Sequence, residues 1–506
     1  MAGLVRGFAG FGASALLALM LAAQPALAQT PPVPQAAAEK AEPARLLPPD
    51  AVTAHTVGPP DHRLSYTATA GALPLLGGKG ETTAHIFFVA YALPDAAQPR
   101  PVTFVFNGGP GAASAFLHLA AVGPCVVGFT DNGAEAVRPV QLVDNPDTWL
   151  DFTDLVFVDP VGTGYSRSAG GTDEADRAFF GVDKDADAMA DFVRRYLART
   201  GRTLAPVLLA GESYGGFRAA LLAERLLGSG LSVRGTVLIS PALEFSMLRA
   251  NRYALLPLAL LLPSLAAANL ELRDGLAVSL DALPQVEQFA RGPYLVHLAA
   301  GLRNDADINA QLARHTGLAP EVIRRHRGRV TARTFTREYE KRNDRALSHY
   351  DAVVSAPVPR GSGIRFDPIL DGAVSVLEPA FTQYARADLG YRTDLPYRLL
   401  NRDVSGHWDY GTTPTRQGFA GALEELQKAR TRNPSLGVLI AHGYTDLVTP
   451  YGVSRYLIDQ LAPIDTARPI ELKVYRGGHM MYLRPASRRA LTRDVRDFYR
   501  QVLPRT

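Results

Sequence analysis

Short apolar runs that end in glycine- or proline-rich loops recur along the chain, and their order sets an architecture. Residues 62–70 and 83–93 are rich in β-branched and aromatic residues and predict two antiparallel strands at a sheet edge, joined by Gly77-Gly78-Lys79-Gly80. Residues 101–106 and 154–159 predict two further strands, followed by the loops Asn107-Gly108-Gly109-Pro110-Gly111 and Pro160 to Ser166. Residues 206–210, 235–240, 437–441 and 471–475 continue the series, and helical spacing appears between several of them, as in 217–227. This is the pattern of an α/β protein with a mixed, mostly parallel sheet covered by helices on both faces.

The pattern changes after Pro241. From about 246 to 392 the residues read as helices and loops, which predicts a helical cap inserted between two parts of the core, 51–245 and 393–506. The 506 residues exceed what one simple core holds, in keeping with such an insertion. The apolar run 254–270 is broken by Pro257 and Pro263 and reads as buried or pocket-lining cap helices, not as a membrane span. Residues 321–345 are dense in charge and read as exposed helix, with Arg324-Arg325-His326-Arg327 on its solvated face.

Residues 1–28 hold one charge, Arg6, an apolar run and Ala26-Leu27-Ala28, the features of a cleaved signal peptide. Residues 29–50 form a Pro/Ala-rich linker. Cys125 is the single cysteine, so no intramolecular disulfide can form, which suits a periplasmic or secreted protein held together by packing. The net charge of +4 comes from 53 basic and 49 acidic residues, and this balance points neither to nucleic acid nor to stable membrane insertion after cleavage. It carries no signal of oligomeric state.

The chemistry centres on Gly211-Glu212-Ser213-Tyr214-Gly215-Gly216, set between an apolar strand and a helix. Gly-x-Ser-x-Gly in that setting is a nucleophile elbow, the mark of an α/β-hydrolase. Serine needs a base to take its proton and a carboxylate to orient that base. The chain order Ser, Asp, His, each at a strand end, selects Ser213, Asp446 and His479. His442, at a strand end before the acid, reads as structural. Tyr214 N–H is one expected oxyanion donor, and the loop 107–111 supplies the second. The 160–166 loop lacks phosphate-binding or dinucleotide spacing and reads as a pocket wall. No cofactor or metal is implied.

Five blocks together resemble the serine carboxypeptidase family: Asn107 to Gly111, Asp159 to Ser166, Gly211 to Gly216, Gly443-Tyr444-Thr445-Asp446 and Gly478-His479-Met480. The resemblance covers about residues 60–500 and implies release of single residues from the carboxyl terminus of a peptide substrate, often at acidic pH. It implies Gly109 and Tyr214 as oxyanion amides and Asn107 with Glu212 as the binder of the terminal carboxylate. Gly108, Trp408, Tyr444 and Met480, with Tyr410, are candidate pocket residues. The chain departs from the family at Val105, where a tryptophan is usual, at Ala121, aligned with a second acidic residue, at Ala112-Ala113, and in its missing disulfides. The stretch 262–267 resembles a bacterial secreted branch. Two other readings use the same residues: an esterase or acyltransferase with the same triad, and a catalytically silent envelope binding protein.

Overall fold

The computed structural model describes residues 47–94, 100–248, 253–301, 305–358, 366–411 and 420–503. The expected signal peptide, residues 1–28, and most of the expected linker, residues 29–50, lie outside these residues. The sheet has ten strands: β1 (Ala51–Val57), β2 (Leu64–Leu76), β3 (Thr82–Ala92), β4 (Val102–Phe106), β5 (Asp154–Val158), β6 (Arg167–Ser168), β7 (Val207–Glu212), β8 (Val233–Ile239), β9 (Gly437–Gly443) and β10 (Ile470–Tyr475). Their order is β1-β2-β3-β5-β4-β7-β8-β9-β10, with β6 on β3. The six strands from β5 to β10 across that order run parallel, and β1, β2 and β3 are antiparallel. The fold is that of an α/β-hydrolase.

Alternation along the strands divides the core in two. Val105, Phe157, Leu208, Ala210, Leu439 and Ala441 face one hydrophobic cluster, while Phe104, Phe106, Val156, Leu209, Val438 and Ile440 face the other. Helices α1 (Val182–Arg199), α2 (Tyr214–Gly228) and α6 (Leu423–Arg432) cover the second face, and α5 (Pro368–Ala387) and α7 (Pro485–Val502) the first. Every parallel strand therefore ends at one rim of the sheet, where the loops are free to carry chemistry.

A third cluster, drawn from residues 258–352 with Leu447, holds the cap together. Its centre is α3 (Leu255–Asp274), which runs unbroken through Pro263. The sequence reading expected the prolines to interrupt this run. Pro257 falls in the first turn, where its missing N–H is harmless, and Pro263 is accommodated inside the helix. This helix is long and apolar enough to cross a membrane, but 72% of its apolar window is buried in the protein. The expected exposed helix over 321–345 is instead two short ones, Pro320–Arg325 and α4 (Ala332–Glu338), separated by a turn at Arg327 and Gly328 with positive φ. Helix α5 packs with the core, so the hydrophobic cap is narrower than the span 246–392. The true sheet edge is β1, whose alternating half-buried pattern was too weak to read as a strand.

Candidate active site

Ser213 follows β7 and caps α2 with φ 57 and ψ −120, a conformation that L side chains rarely adopt. The turn is held by the Ser213 amide, which donates to Ile239 O at 2.9 Å, and by Ser213 O, which accepts from Ala242 N at 3.2 Å. Glycine makes it possible. A Cβ at Gly211 would stand 2.0 Å from Gly215 O, and one at Gly108 would stand 2.6 Å from Tyr214 N and 2.8 Å from Ser213 Cβ. The loop after β4 thus lies directly against the elbow. Gly109 has φ 99, and the Tyr214 amide opens helix α2, where it has no intrahelical acceptor.

Asp446, after β9, and His479, after β10, are both buried, and His479 Nδ1 lies 2.9 Å from Asp446 Oδ2. Asp446 Oδ1 accepts from the amides of Val448 at 2.7 Å and Thr449 at 2.9 Å. Thr449 Oγ1 stands 2.7 Å from Asp446 Oδ2 and 3.0 Å from His479 Nδ1. Burial pushes the Asp446 carboxyl up, but His479 and these donors outweigh it and hold the group below its ordinary value. Burial likewise pulls His479 down, while Asp446 and then Glu212 raise it above its ordinary value. Ser240, after β8, donates to His479 O at 2.9 Å. Among the described residues Ser213 Oγ and His479 share no hydrogen bond, a looseness common before substrate binds.

Asn107 and Glu212 meet at the same rim. The Asn107 side-chain amide donates to Glu212 Oε2, and Tyr482 OH donates to Glu212 Oε1 at 2.9 Å. Burial dominates and pushes Glu212 up to about 7, against the opposing pull of His479, Tyr482 and Asn107. Leu117 N donates to Asn107 Oδ1 at 3.0 Å, and Arg218 on α2 donates to Asn107 O at 2.8 Å. Arg218 is itself pinned by Asp185 of α1 at 2.6 Å and 3.2 Å.

The 160–166 loop follows Asp159, which holds Ser114 just beyond the 107–111 loop. Asp159 Oδ1 accepts from Ser114 N and Ser114 Oγ, both at 2.7 Å, and burial pushes this carboxyl up to about 6. His442 is fully buried, held near Ser454 Oγ at 2.8 Å, and lowered by burial to about 4. Trp408 packs edge-on to Tyr214 at 5.2 Å and Tyr410 lies 4.9 Å from Phe245, so both belong to an aromatic cluster beside the elbow. Met480 lines a small cavity with Tyr350, while half-buried Tyr444 packs edge-on to Tyr451 at 5.5 Å. Among the described residues no group of three or more His, Cys, Asp or Glu is placed to hold a metal.

Several contributors escaped the sequence reading. Tyr482 stands three residues after His479 in the same loop, a spacing that could have suggested it. Tyr350 gave no signal because it comes from the cap: its carbonyl accepts from His479 N at 2.5 Å, and its ring meets the His479 ring edge-on at 5.2 Å. Arg484 joins Asp351 and Glu271 of the cap to the His479 loop.

Residues 68–232 match the model of a family described as serine carboxypeptidase. That segment holds Asn107, Gly109 and Ser213 and ends before Asp446 and His479. The pheromone-processing carboxypeptidase KEX1 of Coprinopsis cinerea is 32% identical over 182 residues, which is 34% of this chain and 27% of that protein. The KEX1 of Cryptococcus gattii is 33% identical over 186 residues, 34% of this chain and 25% of that protein. These alignments span about a quarter of the curated relatives' length. The crystal structure of a prohormone-processing carboxypeptidase Kex1 from Saccharomyces cerevisiae superposes with a TM-score of 0.57 at 16% identity, covering 86% of this chain and 92% of that one, a likeness of fold.

Proposed function

We propose that this α/β-hydrolase, which matches the serine carboxypeptidase family over residues 68–232, is itself a serine carboxypeptidase acting on peptides. Ser213 attacks the last peptide carbonyl, His479 takes the serine proton and returns it to the leaving amino acid, and Asp446 orients the imidazole and stabilises its charged form. The amides of Gly109 and Tyr214 stabilise the oxyanion, and water then releases the acyl-enzyme by the same route.

One observation carries the exopeptidase reading. Asn107 and Glu212 are bonded to each other, immediately beside the nucleophile, and Glu212 is buried with its pKa up to about 7. A protonated carboxyl can donate to the terminal carboxylate of a substrate while Asn107 offers its amide, which selects chain ends over internal bonds. The leader-like residues 1–28 and the single cysteine support export, to a periplasm or the cell exterior, in line with a bacterial secreted branch.

The test is mass spectrometry of a blocked dipeptide and a longer peptide incubated with the mature chain across pH, beside Ser213→Ala. Stepwise loss of carboxyl-terminal residues is expected, absent with carboxyl-amidated peptides and reduced about ten-thousandfold in the variant. Hydrolysis of simple esters alone, at the same serine, would overturn the peptide assignment and leave an esterase.

A further inference from the structure

Between α4 of the cap and the start of α5 lies a cavity of about 1150 Å³, larger than most small-ligand pockets and able to hold side chains of a peptide. It adjoins the candidate active site through one residue. Tyr350 lines the cavity and also presents its ring edge to His479 at 5.2 Å.

The cavity wall is unevenly charged. Its cations are Arg333, Arg337, Lys341, Arg345 and Arg402, and its acids are Asp344, Asp367 and Asp371. Most of these charges are engaged. Asp367 caps α5 through Ile369 N and Leu370 N and accepts from Ser348 Oγ and His349 N. Asp371 pairs with Arg402 at 3.2 Å, Lys341 with Glu338 at 3.1 Å, and Arg345 with Glu340 at 3.4 Å. Arg333 and Arg337 differ. They stand one turn apart on α4, both exposed, and neither makes an ion pair among the described residues. Leu347, Leu370 and Phe366 add apolar surface against which an aliphatic stem can lie.

We propose that this cavity receives acidic side chains of the bound peptide, with Arg333 and Arg337 as their partners, so that substrates bearing Glu or Asp close to the scissile bond are preferred. The proposal rests on the carboxypeptidase reading and names a substrate class for it. Guanidinium groups offer paired N–H donors that match a carboxylate, and two of them a turn apart favour an anion over a neutral amide of the same shape. Both are hydrated in the free enzyme, so selectivity here is electrostatic and weakens with salt.

The experiment compares kcat/KM for blocked peptides that differ only in Glu, Gln or Lys, placed in turn at the terminal residue, the residue before the scissile bond and the next one upstream. Glu is expected to exceed Gln by about fivefold at one of these positions in low salt, as paired exposed charges allow, with Lys poorest. The position showing the advantage identifies which residue reaches the cavity. In the double variant Arg333→Gln/Arg337→Gln the Glu-to-Gln ratio should fall towards one, whereas Arg432→Gln, on the surface far along the chain, should leave the ratio as it is. Equal rates for Glu and Gln at all three positions, or a ratio the double variant does not move, would overturn the proposal while trimming of the Gln peptides leaves the carboxypeptidase standing. If the wild type trims none of the peptides, the carboxypeptidase reading itself fails and the subsite with it.

Discussion

Tyr482 donates its phenol hydrogen to the buried carboxyl of Glu212 at 2.9 Å, from the loop that also carries His479. In the proposed mechanism this bond ties substrate recognition and proton transfer to one small cluster of titrating groups. His479 must be neutral to act as base, and Glu212 must be protonated to donate to a carboxylate. His479 lies above its ordinary value, so activity is lost as pH falls through that raised pKa. Burial pushes the Glu212 carboxyl up to about 7, so the proposed recognition is lost as pH rises through it. The two groups face each other and titrate as a pair, and the active form competes with the His479 cation and Glu212 anion at the same proton count.

The expected profile of kcat/KM is therefore a bell near neutrality, not the acidic optimum that the family resemblance implies. Glu212→Gln should abolish the alkaline limb and leave the acid limb in place or move it slightly to higher pH, because Glu212 is already neutral on that limb and the competing form with the His479 cation and Glu212 anion is gone. Tyr482→Phe removes a donor that favours ionised Glu212, and should move the alkaline limb upward. Steady-state rates across pH for the three proteins check this. An alkaline limb that survives unchanged in Glu212→Gln would remove Glu212 from carboxylate recognition.

Gly108 offers a sharper geometric test. Its Cα faces the elbow so closely that an added methyl would meet Tyr214 N, Glu212 O and Ser213 Cβ all within 2.8 Å. None of those atoms is the end of a flexible side chain. Gly108→Ala must push the 107–111 loop away from the nucleophile and misplace the oxyanion amides. A loss of about a hundredfold or more in kcat is expected, comparable to removing one oxyanion donor, with circular dichroism unchanged. Near-normal turnover would mean that this loop does not build the oxyanion site.

The candidate catalytic residues were legible because α/β-hydrolase chemistry sits at strand ends, and strand ends are written locally. Gly211 to Gly216 carries its own strand, turn and helix signals, and the chain order of Ser213, Asp446 and His479 supplied the rest. Coverage on both faces could be read because runs such as Val102–Phe106 are almost wholly apolar, as strands buried on both sides require. The cap could not. Tyr350 reaches His479 from 129 residues away in sequence, and no periodicity records such a contact. The network around Arg484 depends on three segments that are apolar or charged without distinctive spacing. Pro263 misled because a proline signals the loss of one backbone bond, and the packing of α3 on its neighbours outweighs that loss.

Arg484 provides the remaining prediction. Its guanidinium donates to Asp351 Oδ2 at 2.8 Å and to Glu271 Oε2 at 3.0 Å, all three side chains being almost wholly buried. Asp351 also accepts from Thr445 Oγ1 at 2.6 Å, next to Asp446, and Arg476 reaches the other oxygen of Glu271 at 3.2 Å. The cap is thus fastened to the loops of both candidate catalytic partners by one buried cation. Arg484→Met leaves two buried carboxylates short of a counter-charge, and should cost about 3 kcal/mol, the low end for breaking a buried pair because Thr445 and Arg476 persist. Adding Asp351→Asn and Glu271→Gln removes the stranded charges and should recover most of that loss, since replacing a whole buried network is far less costly than breaking it. Urea unfolding of the single and triple variants measures both steps. A single variant as stable as the wild type would show that the cap is fastened by its apolar contacts alone, and the triple variant's kcat would then report only on the altered loops.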